Sequence, residues 1–162
     1  MGDGPIEDVE MAEGAPTSGG PYFRLFNEIG IISQLGRTLF EHRMPGGMTT
    51  PQFSVLNHLV RLGDGWTPLR IANAFQVPKT SMTHTLAVLE SQGFIELRPN
   101  PEDGRSKLVF ITTKGRDMRD RAIASLDADL THMQNVIAPE KIDDLLPILA
   151  EIRSYLDRNR PQ

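Results

Sequence analysis

The stretch that decides the fold is Val77-Pro78-Lys79-Thr80-Ser81-Met82-Thr83-His84-Thr85-Leu86-Ala87-Val88-Leu89-Glu90-Ser91-Gln92-Gly93-Phe94-Ile95-Glu96-Leu97-Arg98. At about 100° per residue, Met82, Leu86 and Leu89 share one face of a helix, with Thr85 beside them. The opposite face holds Thr80 and His84, flanked by Ser81, Thr83, Ala87 and Val88. Val77-Pro78 marks the entry, the helix runs from Lys79 to Gln92, and Gly93 stops it. Phe94-Ile95-Glu96-Leu97-Arg98 then reads as a strand and Lys107-Leu108-Val109-Phe110-Ile111 as a second. Between them, Pro99 to Ser106 is built of turn formers, which predicts a hairpin with a long, polar, charged tip.

Upstream, Thr67-Pro68 is a cap followed by proline, and Leu69, Ile71, Ala72 and Phe75 supply a short helix. Gly63-Asp64-Gly65 is a turn. Thr49-Thr50-Pro51 opens an earlier helix whose apolar positions are Phe53, Leu56, Leu59 and Val60. From Pro21, the residues Tyr22, Leu25, Ile29, Ile32, Gly36 and Leu39 recur at spacings of three and four, widened by Phe23, Phe26 and Phe40. Met44-Pro45-Gly46-Gly47 ends that helix. Downstream, Thr112-Thr113 starts a long helix carrying Met118, Ile123, Leu126, Leu130, Met133 and Ile137. After Ala138-Pro139 a last helix carries Ile142, Leu145, Leu149, Ile152 and Leu156, and Pro147 inside it is expected to kink or interrupt it.

Two short helices, an elbow, a third helix and a hairpin form the winged helix-turn-helix order. The fold class is mainly α with a small β-hairpin wing. Residues 49–112 form the expected DNA-binding lobe, and the N- and C-terminal helices (21–45 and 113–160) a dimerisation lobe. Residues 21–162 thus make a single domain, preceded by a tail over 1–20.

The 162 residues carry a net charge of −4 and no cysteine. Disulfides, thiolate metal sites and thiol-based oxidant sensing are therefore excluded. No apolar run approaches the roughly 20 residues of a membrane span, and no signal peptide opens the chain, so a cytoplasmic protein is expected. The charge is unevenly placed. Residues 1–20 contain Asp3, Glu7, Asp8, Glu10 and Glu13 with no Lys or Arg, and are rich in Gly and Pro, which reads as a flexible acidic tail. Residues 21–162 carry 17 basic and 16 acidic groups.

The outward face of the Lys79–Gln92 helix holds no acid. Small hydroxyl side chains allow close approach to a DNA groove, and an amide-rich N-terminus attracts phosphate. The hairpin tip projects Arg105 and Lys107 as a minor-groove reader would, with Asp103 placed to pair with Arg105. The residues expected to touch DNA are Lys79, Thr80, Ser81, Thr83, His84, Arg98, Arg105, Ser106 and Lys107. The alternative function is a winged-helix protein-interaction module without specific DNA binding. The small basic surplus keeps that alternative open: residues 67–114 hold six basic groups against four acidic ones.

Three motifs in order, Leu89-Glu90-Ser91-Gln92-Gly93-Phe94-Ile95, Asp103-Gly104-Arg105 and Thr112-Thr113-Lys114-Gly115, resemble the core of the MarR family of winged-helix transcription regulators. The order and lengths of the flanking helices extend the resemblance over 21–160. It implies a homodimeric regulator of double-stranded DNA with a pseudo-palindromic operator, acting as a repressor released by a small aromatic acid. The terminal helices would form the dimer, through Tyr22, Leu25, Ile29, Leu145, Leu149, Ile152 and Leu156. Phe26, Arg37, Phe40, His42, His58 and Trp66 are the expected ligand contacts. Two departures reduce positive charge on the DNA face: His84 stands where the family often has Arg, and Asp103-Gly104-Arg105 where it often has Asp-Arg-Arg. No enzyme is expected. The four His residues are scattered without metal-site spacing, and no nucleophile motif or phosphate loop occurs, so no cofactor or metal is expected either.

Overall fold

In the computed structural model, which describes residues 19–160, the element order is α1 (Gly20–Arg43), a 3-10 turn (Pro45–Gly47), α2 (Thr50–Leu62), α3 (Pro68–Phe75), α4 (Lys79–Ser91), β1 (Ile95–Asn100), β2 (Asp103–Ile111), α5 (Thr113–Ala124), α6 (Asp127–Gln134) and α7 (Pro139–Arg158). The expected tail over 1–20 lies outside the described residues except for Gly19 and Gly20, and Gly20 already opens α1. The chain divides into two compact units, one ending at Thr38 and the other beginning at Leu39.

Among the described residues, the first unit holds the N-terminal part of α1. Tyr22, Phe23, Phe26, Ile31, Ile32 and Leu35 are exposed there, while Leu25 and Ile29 are half-buried.

The second unit holds the core. It is built from Val55, Leu56 and Leu59 of α2, Ile71 and Ala72 of α3, Met82, Leu86 and Leu89 of α4, Ile95, Val109 and Ile111 of the hairpin, and Ala122 of α5, with Met44, Met48 and Phe94 at its margin. The helix starts follow the sequence signals. The Gln52 side chain accepts from the Thr49 backbone N–H at 3.0 Å, Thr67 Oγ1 accepts from Arg70 N at 3.2 Å, and Thr112 Oγ1 accepts from Gly115 N at 3.0 Å. Gln76, with φ 53°, turns the chain between α3 and α4. The two strands are antiparallel, pairing Ile95 with Ile111 through Pro99 with Lys107. Trp66 adds an isolated bridge to Val109 at the root of the hairpin.

Two expectations are corrected and a third is narrowed. The long polar tip is short: the strands run on to Asn100 and Asp103, which face each other, so the turn is Pro101-Glu102. Side chains close it. Asn100 Oδ1 accepts from Glu102 N at 3.0 Å, Asn100 Nδ2 donates to Ser106 Oγ at 2.9 Å, and Ser106 Oγ donates to Asp103 O at 3.1 Å. The single long helix after Thr112 is two helices broken at Ser125-Leu126. There the Ser125 hydroxyl donates to Ala122 O at 2.7 Å, and the Leu126 N–H bonds the carbonyl of Ile123, three residues back, as Leu126 turns into the interior. Ile137 therefore lies beyond α6. The last helix is not interrupted at Pro147, since α7 runs through it, which leaves a kink as the remaining form of that expectation. The carbonyl that loses its donor there, that of Asp143, is on an exposed residue where water can replace the bond.

Candidate nucleic-acid interface

Helix α4 buries Met82, Leu86 and Leu89 and leaves Lys79, Thr80, Ser81, Thr83 and His84 exposed, as the angular spacing predicts. No side chain caps its N-terminus, where Pro78 stands, so the first-turn N–H groups stay available to an acceptor. Thr83 Oγ1 donates to Lys79 O at 2.8 Å, which spends its proton within the helix and leaves the oxygen outward as an acceptor. Ala87 is exposed beside this face and Glu90 lies further along.

The end of α4 is held from several sides. Gly93 adopts φ 73° and the chain closes with Gly93 N–H on Glu90 O and Phe94 N–H on Leu89 O, both at 2.9 Å. Two further carbonyls are met from the α5 side. Lys114 Nζ donates to Gln92 O at 2.7 Å, and Thr112 Oγ1 donates to Gly93 O at 2.8 Å. Gly115 packs so tightly under this junction that a Cβ would lie 2.1 Å from Phe94 O.

The wing places its residues differently from one another. Arg105 and Lys107 are exposed and make no ion pair among the described residues. The Asp103 carboxylate accepts from the Arg105 backbone N–H at 3.0 Å, so the expected side-chain pair is replaced by a turn bond that leaves the guanidinium outward. Arg98 instead pairs with Glu96 at 2.9 Å and lies 4.4 Å above the Phe110 ring. The Ser106 hydroxyl is engaged in closing the tip. At the wing root, Asp64 accepts from Ile111 N at 2.8 Å and from Arg116 at 3.0 Å, tying the α2–α3 turn to β2 and α5.

The residues expected to contact a ligand are spread over both units. Phe26 and Arg37 belong to the first. In the second, Phe40 packs on Phe53 with ring centres 6.0 Å apart, while His58 meets Trp66 edge-on at 4.4 Å and Phe75 at 5.3 Å. Arg70 lies 3.8 Å above Trp66. The buried His58 Nε2 has no hydrogen-bond partner. Burial, then the charges of Arg61 and Arg70, hold His58 below its ordinary pKa. Among the described residues no cluster of His, Asp and Glu could hold a metal ion, and no helix is long and apolar enough to cross a membrane.

Sequence reasoning named the exposed face of α4 and the wing cations but missed the groups that fix them: Asp64, Asn100, Thr112, Lys114 and Gly115. The spacing Thr112–Gly115 was a legible cap signal, but its second partner, the α4 junction, is long-range.

A helix with an exposed polar face, joined through Gly93 to a two-stranded wing, defines a winged helix-turn-helix fold. The MarR family profile matches residues 46–106. The multiple antibiotic resistance protein MarR of Escherichia coli (strain K12) is 32% identical over 114 residues, which span 65% of this chain and 78% of that protein. A helix-turn-helix transcriptional regulator of Mycobacterium bovis is 27% identical over 136 residues, 79% of this chain and 94% of that one. Among solved structures, the transcriptional regulator BldR of Sulfolobus solfataricus superposes with TM-score 0.72 at 24% identity, over 83% of this chain and 95% of that chain. A cysteine-to-serine mutant of E. coli MarR in complex with operator DNA superposes with TM-score 0.66 at 25% identity, over 81% and 94%. The chain belongs to the MarR family, whose members are transcription regulators and not enzymes.

Proposed function

We propose that this protein is a cytoplasmic, sequence-specific double-stranded-DNA-binding transcription regulator that acts as a homodimeric repressor on a pseudo-palindromic operator. The observation that carries this reading is the pairing of an exposed, acid-free α4 face (Lys79, Thr80, Ser81, Thr83, His84) with a wing whose Arg105 and Lys107 are exposed and outside any ion pair among the described residues. Hydroxyl and imidazole groups on a helix reach base edges, and cations on a thin ribbon suit the minor groove. The structure of E. coli MarR bound to operator DNA supports it by similarity.

Dimerisation rests on apolar surface. Tyr22 is 76% exposed on α1, and α7 exposes Leu145, Leu146, Ile148, Tyr155 and Leu156, with Leu149 and Ile152 half-buried beside them. Stripes of this size need cover in water. The proposed effector is a small aromatic acid, a reading supported by the cluster of His58, Trp66 and Phe75 rings with the Arg70 guanidinium 3.8 Å above Trp66. Binding of purified protein to the DNA flanking its own coding region, with light scattering for mass, tests regulator and dimer together. Specific retardation by a particle of twice the chain mass is expected; binding equal to that of random DNA would reject the reading. Thermal shift against a panel of aromatic acids tests the effector, and no shift by any of them would reject it.

A further inference from the structure

We infer that Lys114, which lies outside the reading face, is a positioning residue for operator recognition: it holds the C-terminal end of α4 so that the exposed face keeps a fixed angle. The inference rests on the DNA-binding reading above. In the Schellman-type closure of α4 the Leu89 and Glu90 carbonyls are satisfied, but the Gln92 carbonyl has no backbone donor among the described bonds. The Lys114 ammonium supplies one at 2.7 Å, from the first turn of α5, and sits 5.2 Å over the Phe94 ring. A cation here also complements the negative end of the helix dipole.

Packing does not do this work alone. A cavity of about 160 Å³ opens on this side of the helix end, lined by Met48, Gln92, Phe94, Lys114 and Met118 with Pro45 and Gly46. Leu89 in the last turn and Phe94 just beyond it are buried, so packing holds one side of the helix end and the hydrogen bond holds the side on which the cavity opens. Thr112 and Gly115 fix the next two residues, so the chain from Gln92 to Phe94 is gripped by one short segment. Leverage makes the grip matter. From Lys79 to Ser91 the helix is about 18 Å long, so a tilt of about 5° at its end moves its N-terminal residues by about 1.5 Å, enough to break hydrogen bonds to base edges.

A duplex selected from a random pool by the wild-type protein is the probe, set against an unselected duplex of equal length. Lys114→Met is expected to lose about tenfold in affinity for the selected duplex. It should stay within about twofold on the unselected one and keep the wild-type salt slope. Lys114→Arg, which can still reach the carbonyl, should restore the selected affinity. Hydrogen exchange without DNA should show the last turn of α4 opening faster in Lys114→Met alone. A loss equal on both duplexes, with the salt slope shallower by about 0.9 per protomer, would mean a direct phosphate contact and overturn the inference. Unchanged selected affinity or unchanged exchange would overturn it as well. If the wild type enriches no duplex at all, the DNA-binding reading itself fails, and the inference falls with it.

Discussion

Single atoms decide two features of this chain. The Cβ of an alanine at 115 would sit 2.1 Å from the Phe94 carbonyl oxygen and 2.8 Å from Ile111 Cγ1, and the nearer obstacle is backbone. Gly115→Ala must push α5 away from the α4–β1 junction, and urea unfolding should show a loss of about 3 kcal/mol; an unmoved midpoint would mean the two backbones separate freely. His58 is the other case. Its folded pKa is lowered, by burial first and then by Arg61 and Arg70, so the unfolded chain takes up the proton at a higher pH than the folded one. Stability is then complete above the ordinary histidine value of about 6.5 and is lost as pH falls from there through the folded value. Thermal midpoints should drop on acidification across that window, and His58→Phe, with an apolar ring beside Trp66 and Phe75, should flatten the dependence. The sequence could not foretell this, because a histidine at an intermediate helix position reads alike in water and among rings.

Elements were legible where one local signal sufficed. The four- and three-residue spacings of Met82, Leu86 and Leu89 placed the core face of α4, and the Thr-Pro pairs at 67–68 and 50–51 placed two helix starts, because caps and faces depend on neighbours within a turn or two. Reading faltered where distant or tertiary contacts outweighed local preference. Turn formers at 99–106 promised a loose tip, yet Asn100 and Ser106 bond across it and extend the strands. Continuous periodicity from Met118 to Ile137 hid the break that carries Leu126 inward. Pro147 was expected to kink or interrupt its helix, and α7 continues through it over 20 residues. A proline in that setting still costs a hydrogen bond. Pro147→Ala should stabilise the protein by about 1–3 kcal/mol in denaturant unfolding at fixed protein concentration. A loss of stability would show that the ring itself packs on a neighbour.

At the scale of the molecule, the question is how a chain of net charge −4 holds a polyanion. Residues 67–114 contain six cations, but three of these have partners: Arg98 pairs with Glu96, Arg70 lies on Trp66, and Lys114 bonds Gln92 O. Lys79, Arg105 and Lys107 remain outward, making no ion pair among the described residues. A proposed dimer then offers about six cations to phosphate. At about 0.9 counterions released per contact, the slope of log affinity against log salt should be near −5, shallow for a dimeric regulator. Counterion release also predicts the effect of one substitution on the proposed reading face. His84 is exposed on α4 between Thr80 and Val88, so His84→Arg adds one outward cation per protomer. Fluorescence anisotropy between about 50 and 200 mM salt should then give a slope steeper by about 2 per dimer, with tighter binding to unselected DNA at the low-salt end. Tighter binding with an unchanged slope would place the new guanidinium on a base edge instead, where it would alter which sequence is preferred and leave the salt dependence alone.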